Sequence, residues 1–145
     1  MFSASSIEHF GDVPDVERSL QEVHRVLRPG GVATISTEYR VAGPGPGLPG
    51  ILMFDGGQLE QLVASSGLEF VAPLDLTVSE RTRAGVQAFS ESAADVRAHI
   101  AAHGEILFHQ LDWTRYPQLL LRQDELLWTS VHLALRKPPL SGNGP

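Results

Sequence analysis

The segment that most restricts the fold is an amphipathic helix pattern that runs into a double glycine and then into a short β-branched apolar run. Val16, Leu20, Val23 and Leu27 recur at helical spacing and make one apolar stripe. Asp12 is placed to cap this helix, with Pro14 in its first turn, Asp15 and Glu17 near the positive end of the dipole, and Arg25 and Arg28 near the negative end. Gly30-Gly31 is expected to stop it by allowing positive φ. Val32 to Thr37 is then short, β-branched and apolar on both sides, as expected of a parallel strand buried under helices on both faces. Helix, glycine turn and buried strand make half of a βαβ unit.

The rest of the chain fits one α/β unit. Met1 to Ser6 reads as the tail of a preceding strand, so the expectation is that sequence is missing before it. Gly43 to Gly50 alternates glycine with proline; it is excluded from helix and central strand, and its position after a strand makes it a candidate lid loop. Asp55 and Gln58 have capping-box spacing, and Leu59, Leu62 and Val63 give the next helix its buried face before Gly67 ends it. Leu68 to Val78 is read as the following strand. Residues 79–122 are expected to be an insertion, with a helix opening at Ser92 and Asp95, burying Val96 and Ile100 and ending at Gly104. Thr129, Val131, Leu133 and Leu135 alternate with Ser130, His132, Ala134 and Arg136, the period of a strand with one face more buried. Residues 138–145 are expected to be a disordered tail after a single domain over 1–137.

Composition removes several function classes. A net charge of −6 and the lack of a Lys/Arg cluster argue against nucleic acid as a partner. There is no cysteine, which removes disulfide scaffolds and cysteine zinc sites and favours a cytoplasmic setting. No apolar run reaches the roughly 18 residues of a spanning helix. His99 and His103 stand four apart and His109 is near, but no accompanying carboxylates complete a metal motif, and solvated histidines are the better reading. Trp113, Tyr116 and Trp128 are read as core or interface anchors.

Ser6-Ile7-Glu8-His9-Phe10, followed by the capped helix and Arg25-Val26-Leu27-Arg28-Pro29-Gly30-Gly31 and then Val32 to Thr37, resembles the second half of a class I S-adenosylmethionine-dependent methyltransferase. The resemblance implies an α/β fold: a partial Rossmann-like methyltransferase sheet, strands four to seven with flanking helices, the last strand antiparallel. Met1 to Ala4 maps to strand four, Val32 to Thr37 to strand five, Leu68 to Val78 to strand six and Leu127 to Arg136 to strand seven. It implies S-adenosylmethionine as cofactor in the complete domain and methyl transfer to a small-molecule acceptor. The acidic glycine loop after strand one and the acidic residue after strand two have no counterpart in this sequence, so this chain alone is expected to bind cofactor poorly and to be inactive.

The resemblance also assigns candidate residues. Ser3, Ala4 and Ser5 match the place where the backbone of strand four approaches the cofactor. His9 falls just past the carboxyl end of that strand, where open α/β sheets hold ligands, and an imidazole titrates near ~6.5, suited to a general base. The alternative is that His9 bonds a backbone carbonyl and holds the loop. Glu8 either orients His9 or points to solvent; Glu38 and Tyr39 are candidates to line the acceptor pocket, Tyr39 alternatively capping the core. A competing class of function is a noncatalytic interaction module or split-enzyme subunit that self-associates, or pairs with a missing amino-terminal half, through an exposed sheet edge. A dehydrogenase-like enzyme would require a glycine fingerprint that is absent.

Overall fold

The computed structural model describes residues 1–104 and 120–140, without the side chains of 91–93. His109, Trp113 and Tyr116 lie outside the described residues, as does all but the first part of the expected tail. A short strand β1 (Phe2–Ser3) and a 3-10 turn (Ile7–His9) lead into helix α1 (Val13–Val26) and the long strand β2 (Val32–Ala42). A small hairpin, β3 (Gly47–Leu48) and β4 (Ile51–Leu52), precedes α2 (Gly56–Ser66) and β5 (Glu69–Phe70). Then come α3 (Glu80–Ala84), β6 (Val86–Ala88), α4 (Phe89–His103), β7 (Leu120–Gln123) and β8 (Leu126–Arg136).

The main sheet runs β1-β2-β8-β7-β6, with β5 also paired to β8. Two pairings are parallel, β1 with β2 and β6 with β7; β8 is antiparallel to β2, β5 and β7. The last strand is therefore antiparallel and sits between the fifth- and sixth-strand equivalents β2 and β5, as the resemblance implies. Its alternation is real: Val131, Leu133 and Leu135 are buried, while Ser130, His132, Ala134 and Arg136 are exposed.

Both expected capping boxes form. Asp12 accepts from the Asp15 amide at 2.9 Å while Asp15 accepts from the Asp12 amide at 3.1 Å. Asp55 and Gln58 do the same at 2.9 and 3.0 Å, satisfying two otherwise orphaned donors at the start of α2. Val16, Leu20 and Val23 from α1 and Leu59, Leu62 and Val63 from α2 join Ala33, Ile35, Val131, Leu133 and Leu135 in one buried cluster. Full burial of such side chains contributes roughly 1.5–3 kcal/mol each and holds the layer together.

Several expectations need correction. α1 ends at Val26, with Leu27 already extended two residues ahead of Pro29, which has no amide with which to continue the helix; only Gly30 of the two glycines takes positive φ, at 73°. The start of β2 is not buried on both faces, although Ser36 further along is buried. α1 and α2 both pack on the Ala33–Ile35 side, so Val32 and Thr34 on the other side remain exposed. The Met1 to Ser6 strand is only Phe2–Ser3, since Ser5 turns the chain out at φ 45°. Leu68 to Val78 shrinks to Glu69–Phe70, extended by one further bond from the Val71 amide to the Ala134 carbonyl, before Pro73 removes a ladder donor. α4 starts at Phe89, earlier than Ser92, and Val96 and Ile100 on it are exposed and not buried.

Candidate active site

The parallel pair β1–β2 sets the geometry. Its carboxyl end delivers two segments to the same place: the 3-10 turn carrying Glu8 and His9, and the stretch Thr37-Glu38-Tyr39 of β2. Open parallel sheets hold ligands at this end because successive loops diverge there and leave a crevice.

Ile7 anchors the turn in the core, and Glu8 beside it is carried inward with it to 2% exposure. A buried carboxyl requires a donor, and Thr37 supplies one, its Oγ1 donating to Glu8 Oε2 at 3.2 Å. The other oxygen, Oε1, faces His9 Nε2 at 3.9 Å. His9 itself is half exposed, and its Nδ1 bonds the Gly50 carbonyl at 2.7 Å. Glu8 thus faces His9 and not solvent, and His9 does bond a backbone carbonyl, leaving its second nitrogen turned towards the Glu8 carboxyl.

Glu38 completes the group. Burial pushes its carboxyl above the ordinary glutamate value, and the neighbouring charge of Glu8 adds to this; a hydrogen bond from Ser130 Oγ at 3.4 Å and the nearby His9 act in the opposite sense. Glu8, His9 and Glu38, three of the residues picked from the sequence, come together here. Tyr39 packs its ring against the core cluster, its alternative role, and pairs through its backbone with Phe54.

Ser3, Ala4 and Ser5 stand at the carboxyl end of β1, which is an end strand of the described sheet. Ala4 and Ser5 are exposed, and the Ser5 amide turns back to Ser36, 3.0 Å from Oγ and 3.2 Å from the carbonyl. Beside them, between β1 and α1, lies an apolar groove of about 710 Å³ lined by Met1, Ile7, Phe10, Val23, Val26 and Ile35. The small residues Ser3, Ala4 and Ser5 lie along the β1 side of this groove, and Ser3 lines it.

Sequence reasoning missed Thr37, Ser130 and Gly50. Thr37 was legible only as part of a strand, and Ser130 only as the exposed phase of another. Gly50 takes part through its carbonyl, which no side-chain motif announces. The rings of His99 and His103 lie tilted against each other with centroids 4.5 Å apart, and among the described residues no three His, Asp or Glu side chains group to hold a metal ion.

Residues 1–35 match a family model described as a methyltransferase domain. Among solved structures, the 4+2 cyclase SpnF is similar, with 21% identity, a TM-score of 0.55, and 95% of this chain and 48% of that chain covered. A phosphoethanolamine N-methyltransferase 2 of Haemonchus contortus, solved with S-adenosyl-L-methionine, shows 19% identity and a TM-score of 0.43 over 94% of this chain and 32% of its own. No curated protein sequence matches the chain. The chain thus spans about half the length of the first structure it resembles. The class I methyltransferase resemblance read from Glu8-His9 and the Arg-Val-Leu-Arg-Pro-Gly-Gly turn stands on the family match at that same segment and on a partial Rossmann-like sheet with an antiparallel last strand.

Proposed function

We propose that this chain is the acceptor-side portion of an S-adenosylmethionine-dependent methyltransferase that acts on a small-molecule acceptor, and that turnover requires the complete domain. The observation that carries this reading is the meeting of Glu8, His9 and Glu38 at the carboxyl end of the β1–β2 pair. S-adenosylmethionine, when bound, supplies an electrophilic methyl on a sulfonium. Ser3, Ala4 and Ser5 would flank it on one side. The chain's own work is to align the acceptor and hold its proton: His9 takes the proton at Nε2, while Glu38 and the buried Glu8 give that side of the crevice a negative lining. Fold alone does not fix chemistry, as a cyclase among the structural neighbours illustrates.

Two experiments test it. In the complete domain, His9→Ala should lower turnover by about 10²-fold or more, the usual scale of general-base catalysis, with cofactor affinity changed far less. Unchanged turnover removes His9 from the chemistry. For the isolated chain, calorimetry should detect no binding of S-adenosylmethionine in the micromolar range; such binding would overturn the incompleteness.

A second reading is favoured by the β1 side of the molecule. Phe2 is 75% exposed beside the apolar groove, on a strand with one edge unpaired among the described residues. Such edges pair with other chains. The interaction-module reading expects self-association or capture of a separate amino-terminal half, and a stable monomer by light scattering counts against self-association.

A further inference from the structure

The Gly47–Leu52 hairpin ends on Pro49-Gly50, with proline at the first turn position and Gly50 at φ 79° in the second, the residue order of a tight type II turn. This tip is anchored. Leu48 and Ile51 pack on the cluster of Met53, Leu126 and Trp128, and the Met53 amide donates to the Pro46 carbonyl at 2.8 Å. From this platform the Gly50 carbonyl meets His9 Nδ1 at 2.7 Å.

We infer that the hairpin tip, through Gly50, is a positioning element that fixes the proton of neutral His9 on Nδ1 and so leaves Nε2 as the proton-accepting atom. The inference rests on the reading of His9 as the base. A carbonyl oxygen only accepts, so Nδ1 must donate, and in a neutral imidazole the lone pair then resides on Nε2. That nitrogen is the one facing Glu8 Oε1 at 3.9 Å, on a side chain that is half exposed. Glu8 cannot follow the ring outward, being 2% exposed and held by Thr37. A proton passing from an acceptor O–H or N–H to Nε2 therefore arrives beside a fixed carboxyl group. The Gly/Pro segment thereby acts as an anchored brace on His9, a different task from that of a free lid.

The test uses the 145-residue chain without cofactor or acceptor. Long-range proton–nitrogen correlation on histidine-labelled protein, above the ordinary imidazole titration range, should show His9 with Nδ1 protonated, the signals being assigned by their loss in His9→Gln. Gly50→Val, a β-branched residue where positive φ is required, should move His9 towards the Nε2-protonated form. Gly50→Asn, which tolerates that conformation, should retain the wild-type tautomer. If Gly50→Val does not fold, the Gly50 carbonyl carbon shift of the wild-type chain, followed through the His9 titration, should move with it. A wild-type His9 protonated on Nε2, a Gly50→Val spectrum identical to wild type, or an unresponsive Gly50 carbonyl overturns the inference. None of these outcomes depends on activity, so a failed tautomer leaves the His9→Ala turnover assay to judge the base, and the reverse.

Discussion

Thr37 Oγ1 donates to Glu8 Oε2 across 3.2 Å, joining two residues that lie 29 positions apart and are 0% and 2% exposed. This bond is what allows a carboxyl to stand inside the layer between β2 and the turn that precedes α1. Removing the hydroxyl while keeping the shape should therefore be costly. Thr37→Val should destabilise the chain by about 1–3 kcal/mol, the range for stranding a buried polar partner, and Thr37→Ser by less. Urea unfolding midpoints at constant slope would measure it, and a Thr37→Val midpoint equal to wild type would refute the role of the bond.

Glu38 should make stability depend on pH in a definite sense. Its carboxyl is raised, first by burial and then by the charge of Glu8, so the folded state holds the proton more tightly than the unfolded chain. Its contribution is fully favourable below the ordinary value of 4.5 and is lost as the pH rises through the raised one. Glu38→Gln should accordingly raise the melting temperature at neutral pH by about 1–3 °C, a modest gain because the side chain keeps some solvent screening. The gain should disappear in mild acid. A variant equally stabilised at both pH values would contradict this assignment.

Asp55 serves two partners, and substitutions can separate them. Its Oδ1 accepts from the Gln58 amide at 2.9 Å, and its Oδ2 accepts from Arg40 Nη2 at 2.8 Å. Asp55→Ala should cost about 1–2 kcal/mol as a lost helix cap. Asp55→Asn keeps the capping oxygen and gives up a partly exposed ion pair, so its cost should stay under about 1 kcal/mol. Equal losses for the two variants would show that the charge, not the cap, dominates.

Gly45 is constrained by Arg40. A Cβ at this position would collide with the guanidinium, which cannot swing away freely because it donates to the Met53 carbonyl, Asp55 and Gln58 and is only 12% exposed. Gly45→Ala should destabilise the chain, and the loss should be smaller when Arg40 is already Met. A double-mutant cycle should give a coupling of about 1 kcal/mol; additive losses would mean that the two residues do not interfere.

α1 and α2 were legible because their signals are local, whereas α3 went unread and α4 was started too late. Asp12 with Asp15 and Asp55 with Gln58 are three residues apart, and the apolar stripes above them repeat within one turn. The alternation of β8 was legible for the same reason. The length of β2 was not: Glu38, Tyr39 and Arg40 are drawn into the strand by pairing with Ser130, Thr129 and Trp128, an influence from distant sequence. At the candidate site, Glu8, His9 and Glu38 could be picked from their place after strands. Their supports, Thr37 and the Gly50 carbonyl, stand 29 and 41 positions from their partners, where no period or spacing rule reaches.

The strand that contributes most to the centre of the sheet, β8, is encoded after everything it touches. During synthesis the edge of β2 that β8 takes must wait until β8 has been made. Non-local closures of this kind are slow. Shortening the sequence ahead of Leu126 would leave that edge of β2 without the partner it has here.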